Sequence, residues 1–383
     1  MAKPSNSRPS KNGAAEQNLL VLQGGGALGA YQAGVYEELA GNGHTPDWLA
    51  GISIGAINAA LIAGSPPERR CEQLHAFWDR LSSRLQGKPT FPGEPARAMF
   101  NETSAAFTTA FGVPGFFQPR PVPIMAFPFG TAEALSIYET APLRATLEEL
   151  VDFDLINSGR TRLSVGAVNI RSGNFVYFDS KRQRIGPEHI MASSALPPGF
   201  PPVEIDGEHY WDGGLVSNTP LHFVLDNLPG SDTLIFQVDL FSAQGGMPRT
   251  LSEVAERDKD IRYSSRTRLN TDVSRQSLAL RQAAQRLVAK LPANLQDDPD
   301  VRTLRDLSAK ANKAAVTIVH LIHRRKNYHS QSKDFEFSRL SLAEHWESGR
   351  NDVRRTFRHK AWQKRTRSKT HVRVFDLTRD AED

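Results

Sequence analysis

Two glycine-rich turns, Gly24-Gly25-Gly26-Ala27-Leu28-Gly29 and Gly51-Ile52-Ser53-Ile54-Gly55, each follow a short apolar run and each open onto a helical pattern. The first run, Asn18–Gln23, leads into Ala27–Ala40, where Leu28, Tyr31, Val35 and Leu39 recur at helical spacing. The second, Trp48–Gly51, leads into Ile54–Ala63, rich in Ala and Ile and free of proline until Pro66. Two strand–turn–helix units in succession bury both faces of a sheet, which constrains the chain to an α/β architecture. Later segments continue the alternation, with helices predicted over Ala141–Val151, Glu188–Ser194 and Thr219–Asn227, and strands over Arg162–Asn169, Asn174–Asp179 and Thr233–Leu240.

Residues 247–313 read as charged helices, after which the β-branched run Val316–Ile322 predicts one more strand returning to the sheet. The expected divisions are a disordered tail over 1–18, a catalytic domain over 19–242, a helical region with the returning strand over 243–345, and a basic helix and tail over 346–383.

At 383 residues the chain is long enough to bury a large core. Its single cysteine, Cys71, cannot form an internal disulfide and fits a reducing compartment. Residues 1–17 lack the apolar segment of a secretory signal, and no stretch reaches the roughly 18 apolar residues of a membrane span, so a cytoplasmic protein is expected. Charge is uneven: residues 1–242 carry 17 basic and 24 acidic side chains, residues 243–383 carry 30 and 18. The basic C-terminal part is either a solvated face or a peripheral contact for an anionic membrane or storage granule.

From Lys88 to Gly130 regular patterning gives way to Pro, Gly and eight phenylalanines, among them Phe91, Phe100, Phe107, Phe116, Phe117, Phe127 and Phe129. A long loop is expected here. Its rings either cover an apolar cleft, form a lipid-contacting lip, or plug the core.

Ser53 stands in G-x-S-x-G, where flanking glycines let a strand turn sharply into a helix and expose the hydroxyl at the helix N-terminus. Helix dipole and free N–H groups there favour developing negative charge. Backbone N–H groups of Gly25 and Gly26, with that of Ile54, would supply an oxyanion hole. The loop also satisfies G-x-G-x-x-G with Asp47 about twenty residues on, a dinucleotide fingerprint, although the second strand ends in a serine turn and not at a ribose-binding acid. For the base, His189, His209, His222, His320 and His323 all follow Ser53, but Asp212-Gly213-Gly214 is the more specified loop, its glycines letting the backbone approach the serine. A carboxylate acting there would need its basicity raised by desolvation.

In this order the glycine loop, the Gly51–Gly55 elbow and Asp212-Gly213-Gly214 resemble the patatin-like phospholipase family, over about residues 19–242. The runs Leu163–Asp179 and Met191–Pro202 are also similar to bacterial members. The resemblance implies a three-layer α/β/α sandwich around a mostly parallel sheet, with a mainly helical C-terminal region. It further implies a Ser-Asp dyad without histidine: Ser53 as nucleophile, Asp212 as base, the Gly25–Gly26 loop as oxyanion hole, and Gly24, Gly29, Gly51, Gly55, Gly213 and Gly214 as motif glycines. The expected substrate is a phospholipid or lysophospholipid ester, and no cofactor or metal is required. Leu28 departs from the basic residue that many relatives carry in the loop. The segment Lys333–Arg339 and His345-Trp346 resemble an extension of some bacterial members.

Three other readings stand beside this one. A lapsed enzyme could serve as a lipid-surface or granule scaffold, and the glycine loop alone would suit a nicotinamide- or flavin-dependent oxidoreductase. Phe357 and Trp362 among basic residues prompt nucleic-acid binding, for which no recognition module is present.

Overall fold

The computed structural model describes residues 16–122, 124–264, 267–308, 314–366 and 372–377. Residues 1–15 of the expected tail lie outside these, while Gln17 and Asn18 already belong to the first strand.

Strands β1 (Gln17–Leu22), β2 (Trp48–Gly51), β5 (Arg162–Asn169), β6 (Phe175–Asp179), β7 (Val203–Ile205), β8 (Glu208–Asp212), β9 (Thr233–Asp239), β10 (Val316–Ile322) and β11 (Val372–Phe375) form one nine-stranded sheet. The short β3 (Gln118–Pro119) and β4 (Tyr138–Glu139) pair separately. Across the main sheet the order is β11-β10-β9-β1-β2-β5-β8-β7, with β6 also on β5. All neighbours from β11 to β5 are parallel; β6, β7 and β8 attach antiparallel. Leu19 and Val21 of β1 join the apolar cluster on one face, and Leu20 and Leu22 the cluster on the other. Burial on both faces explains why the central strands read as continuous apolar runs.

Helices α1 (Gly29–Gly41) and α2 (Ile54–Ala63) cover one face, and the helix Leu221–Asp226 packs on the other. The C-terminal region is mainly helical, with Leu251–Tyr263, Thr267–Val288, Pro299–Ser308 and Arg339–Arg358. Its last long helix lies directly against α1: a Cβ on Gly34 would fall 1.9 Å from the Trp346 carbonyl oxygen, and one on Gly349 2.1 Å from that of Tyr31. The Tyr31 hydroxyl closes this contact by donating to Asp352 at 2.8 Å.

Two readings are corrected. The expected loop over 88–130 contains an 18-residue helix, Glu94–Phe111. Its buried positions are Arg97, Asn101, Ser104, Ala105 and Thr108, so its inward face is polar, while Met99, Phe107 and Phe111 are exposed. In the basic tail, Lys360–Gln363 forms a helical turn and β11 adds an edge strand parallel to β10; residues 367–369 lie outside the described residues. Phe357 and Trp362, stacked 5.2 Å apart, pack with Phe236 in the core and so offer no base-stacking surface.

Candidate active site

β5 is the branch point that builds the site. It pairs with β2 up to Gly51↔Val165, and two residues further along Ala167 pairs with Asp212 at the end of β8. The turn after β2 and the turn after β8 therefore emerge over the same stretch of sheet. Ser53 sits at the first turn with φ 54° and ψ −126°, a backbone conformation rare for a residue with a side chain. It is held by its N–H, which donates to the Ser193 carbonyl and hydroxyl, both at 3.1 Å, and by the Ala56 N–H, which donates back to its carbonyl at 2.8 Å. Gly55 lets α2 pass over β1, since a Cβ there would stand 2.4 Å from the Leu22 carbonyl oxygen. The Ile54 N–H, at the first helical position, has no intrahelical acceptor.

In the glycine loop the Gly24 N–H donates to the Asn218 carbonyl at 3.2 Å and the Ala27 N–H to the Asp334 carbonyl at 2.8 Å. Between these two anchors, Gly25 and Gly26 line the cavity above Ser53. Asn218 also holds the loop from its side chain, donating to the Gly24 carbonyl at 3.0 Å and to the Tyr263 carbonyl at 2.9 Å. Leu28, one turn on, is fully buried and does not line the cavity.

Asp212 is 2 % exposed and accepts the Gly214 N–H at 2.7 Å. Burial pushes its carboxyl up to about 7, against the opposing effect of hydrogen bonds from the Ser53 hydroxyl and the Gly214 N–H. A carboxyl with that affinity for protons, hydrogen-bonded to a serine hydroxyl, is suited to proton exchange near neutral pH.

The two groups share a cavity of about 460 Å³. Its walls are mostly apolar, with Phe116, Phe117, Tyr138, Phe200, Phe241, Phe335 and Phe337 among the residues that contribute. Phe116 and Phe117 are buried, whereas Phe91, Phe107, Phe111 and Phe129 are exposed, so the phenylalanine-rich region divides between cavity wall and surface.

Ser53, Ile54, Asp212, Gly24, Gly25, Gly26 and Gly214 thus meet at one cavity, while Gly29, Gly51, Gly55 and Gly213 lie behind it as packing positions. None of the five candidate histidines lines it. His189 bonds the Gly186 N–H, His222 lies 3.2 Å from Asp226, and His323 is 3.2 Å from His345 in a buried cluster. Asp47 is not a ribose acid. It starts the turn into β2, at the end of the sheet away from the glycine loop, and accepts the Asn18 N–H at 2.8 Å.

Sequence reasoning missed Asn218, Lys259, Tyr263 and Asp334, all of which line the cavity. Asn218 had a local signal, lying six residues after Asp212 in the same turn. Lys259 and Tyr263 come from the C-terminal half and had none, while Asp334 lies in the segment Lys333–Arg339, to which the sequence attached no chemistry.

A glycine loop, a serine turn and a buried aspartate meet at this cavity on a mostly parallel sheet flanked by helices, and two family profiles place the chain among lipid hydrolases. The profile of the patatin-like phospholipase family matches residues 20–225, and a second profile, described as patatin phospholipase, matches residues 261–369. The chain belongs to the patatin-like phospholipase family. No curated protein matches it. Among solved structures it is similar to VipD from Legionella pneumophila, at 15% identity over 88% of this chain and 68% of that one, with a TM-score of 0.34. It is also similar to ExoU from Pseudomonas aeruginosa, solved with SpcU, at 13% identity over 89% and 77%, with a TM-score of 0.27. No helix among the described residues is long and apolar enough to cross a membrane.

Proposed function

We propose that the protein hydrolyses carboxylic esters of phospholipids or lysophospholipids through a Ser53-Asp212 dyad and an acyl-enzyme. Asp212 takes the proton as the Ser53 hydroxyl oxygen attacks the ester carbonyl, and the N–H groups of Gly25, Gly26 and Ile54 hold the resulting oxyanion. Asp212 then returns the proton to the departing alcohol, the acyl group staying on Ser53. In the second half Asp212 deprotonates water, which attacks the acyl-serine; the fatty acid leaves as Asp212 returns the proton to the Ser53 oxygen. The aromatic walls receive the acyl chain, the cavity falling within the ~300–1,000 Å³ usual for small-molecule sites.

The observation that carries this reading is the buried carboxyl of Asp212, raised to about 7 and hydrogen-bonded to a strained serine. A general base with that affinity predicts activity rising about tenfold per pH unit below 7 and levelling above it. The test is intact-protein mass after brief exposure to a fluorophosphonate. One adduct on wild type and none on Ser53→Ala is expected; an adduct on Ser53→Ala, or none on folded wild type, removes the assignment.

A further inference from the structure

We propose that Lys259 is a positioning residue for the oxyanion hole, acting through Asp334; this rests on the dyad reading for its kinetic consequences but not for its structural one. The chain from residue 324 to 338 crosses the glycine loop, and the Asp334 carbonyl takes the Ala27 N–H at 2.8 Å. Contact is so close that a Cβ on Gly26, which has φ +55°, would stand 2.0 Å from that carbonyl oxygen. The position of residue 334 thus fixes the orientation of the Gly26–Ala27 peptide, whose neighbour carries a proposed oxyanion donor.

Residue 334 is itself held from the helix Leu251–Tyr263. The Lys259 ammonium donates to the Asp334 carboxylate and to the Gln331 carbonyl, each at 2.7 Å, and lies 5.2 Å from the Phe335 ring. Next to it the polarity is reversed: Lys333 donates to Asp260 at 2.6 Å and to Glu256 at 3.1 Å. Two adjacent helix residues therefore grip two adjacent residues of the crossing segment with opposite charge order, so only one register satisfies both pairs. The same helix ends at Tyr263, whose carbonyl accepts from Asn218 and from Gln23, residues that border the other end of the glycine loop. Of these ion pairs, only Lys259–Asp334 lines the cavity.

The variants are Lys259→Met, which keeps the stem and loses the charge, Lys259→Arg, and Asp334→Asn. Hydrogen exchange of the peptide containing Ala27 gives the structural readout, and the rate of fluorophosphonate labelling gives the kinetic one. Lys259→Met should exchange the Ala27 amide at least tenfold faster and label about 10- to 100-fold more slowly, the scale of loss for a displaced reacting geometry. The KM for a short neutral ester should stay unchanged, Lys259→Arg should recover most of the rate, and Lys259→Met with Asp334→Asn should be no worse than the weaker single variant. Wild-type exchange at Ala27 in folded Lys259→Met overturns the inference. So does a loss expressed in KM alone, which would make Lys259 a substrate contact. Faster Ala27 exchange in a protein whose wild type takes no label leaves the clamp standing and refutes the dyad.

Discussion

The region up to the Asp212 turn holds its candidate active residues by backbone, and the region after it is fastened by charge. Ser53, Gly25 and Asp212 are placed by short turns at strand ends, held by backbone N–H groups and by the close approaches that missing Cβ atoms allow, several of them to distant segments such as Ser193 and Asn218. In the C-terminal half the fixing contacts are side-chain pairs between distant segments: Arg97 with Glu344, Lys259 with Asp334, Lys333 with Asp260 and Glu256. On the proposed reading, the reacting groups sit in short turns and their alignment draws on distant segments. A local turn tolerates little substitution, whereas a charge pair acts through its partner and is expected to be graded and rescuable.

The largest effect that separates the two is Ser53→Ala, which should lower esterase activity by about 10³-fold or more, measured on a short-chain ester. Gly26→Ala should come next, at roughly 10²-fold in kcat, because the added Cβ meets the Asp334 carbonyl and the φ is unfavourable. If Gly26→Ala kept full activity, the crossing segment could not be what orients the loop.

The charge-held half should fail first in acid. His323, His329 and His345 are buried together, with ring centroids 5.0 to 5.9 Å apart. Burial holds all three below the usual histidine range, His329 at about 2 and His345 at about 3, and the nearby positive charges of Lys326 and Lys333, with Arg97 beside His329 and His345, lower them further. Below about 6.5 the unfolded chain takes up protons that the folded one refuses, so stability is full above that pH and falls as pH drops toward 3. The slope is about 1.4 kcal/mol per pH unit for each histidine once the unfolded form is fully protonated. Thermal melting between pH 7.5 and 5 checks this, and a flat profile would remove the histidine cluster from the account.

Asp212 has the opposite sign. Its folded pKa of about 7 lies above the unfolded value, so the folded state keeps a proton that the unfolded state has lost, and stability declines as pH rises from about 4 to 7. Asp212→Asn should melt higher than wild type at pH 8, by an amount worth on the order of a few kcal/mol, while activity is lost. Equal melting would place the carboxylate in a more solvated setting than its burial implies.

The same division decided what was legible in the sequence. The β1 and β2 turns, the β5 strand and the Asp212 loop could be read because glycine and apolar periodicity encode them within a few residues. The helix Glu94–Phe111 could not, since its buried face carries Arg97, Asn101, Ser104 and Thr108 and its exposed face carries phenylalanine, an inversion of the pattern that periodicity detects. That inversion makes sense only against the second half: Arg97 meets Ser341 and Glu344, and Ser104 meets Glu336. β11 was hidden among basic residues for the same reason, a four-residue strand defined by its partner β10. Lys259 had no local signal, and Asp334, 75 positions away, stood in a recognisable segment whose role depends on that distant partner.

The contact between Ala27 and Asp334 also sets a clock. The glycine loop leaves the ribosome roughly 300 residues before the carbonyl that anchors it, an interval of about 15–60 s at ~5–20 residues per second. Throughout that time the Ala27 N–H lacks the carbonyl that anchors it. On the proposed reading, the loop that would hold the oxyanion is completed last, after both Ser53 and Asp212 have been made.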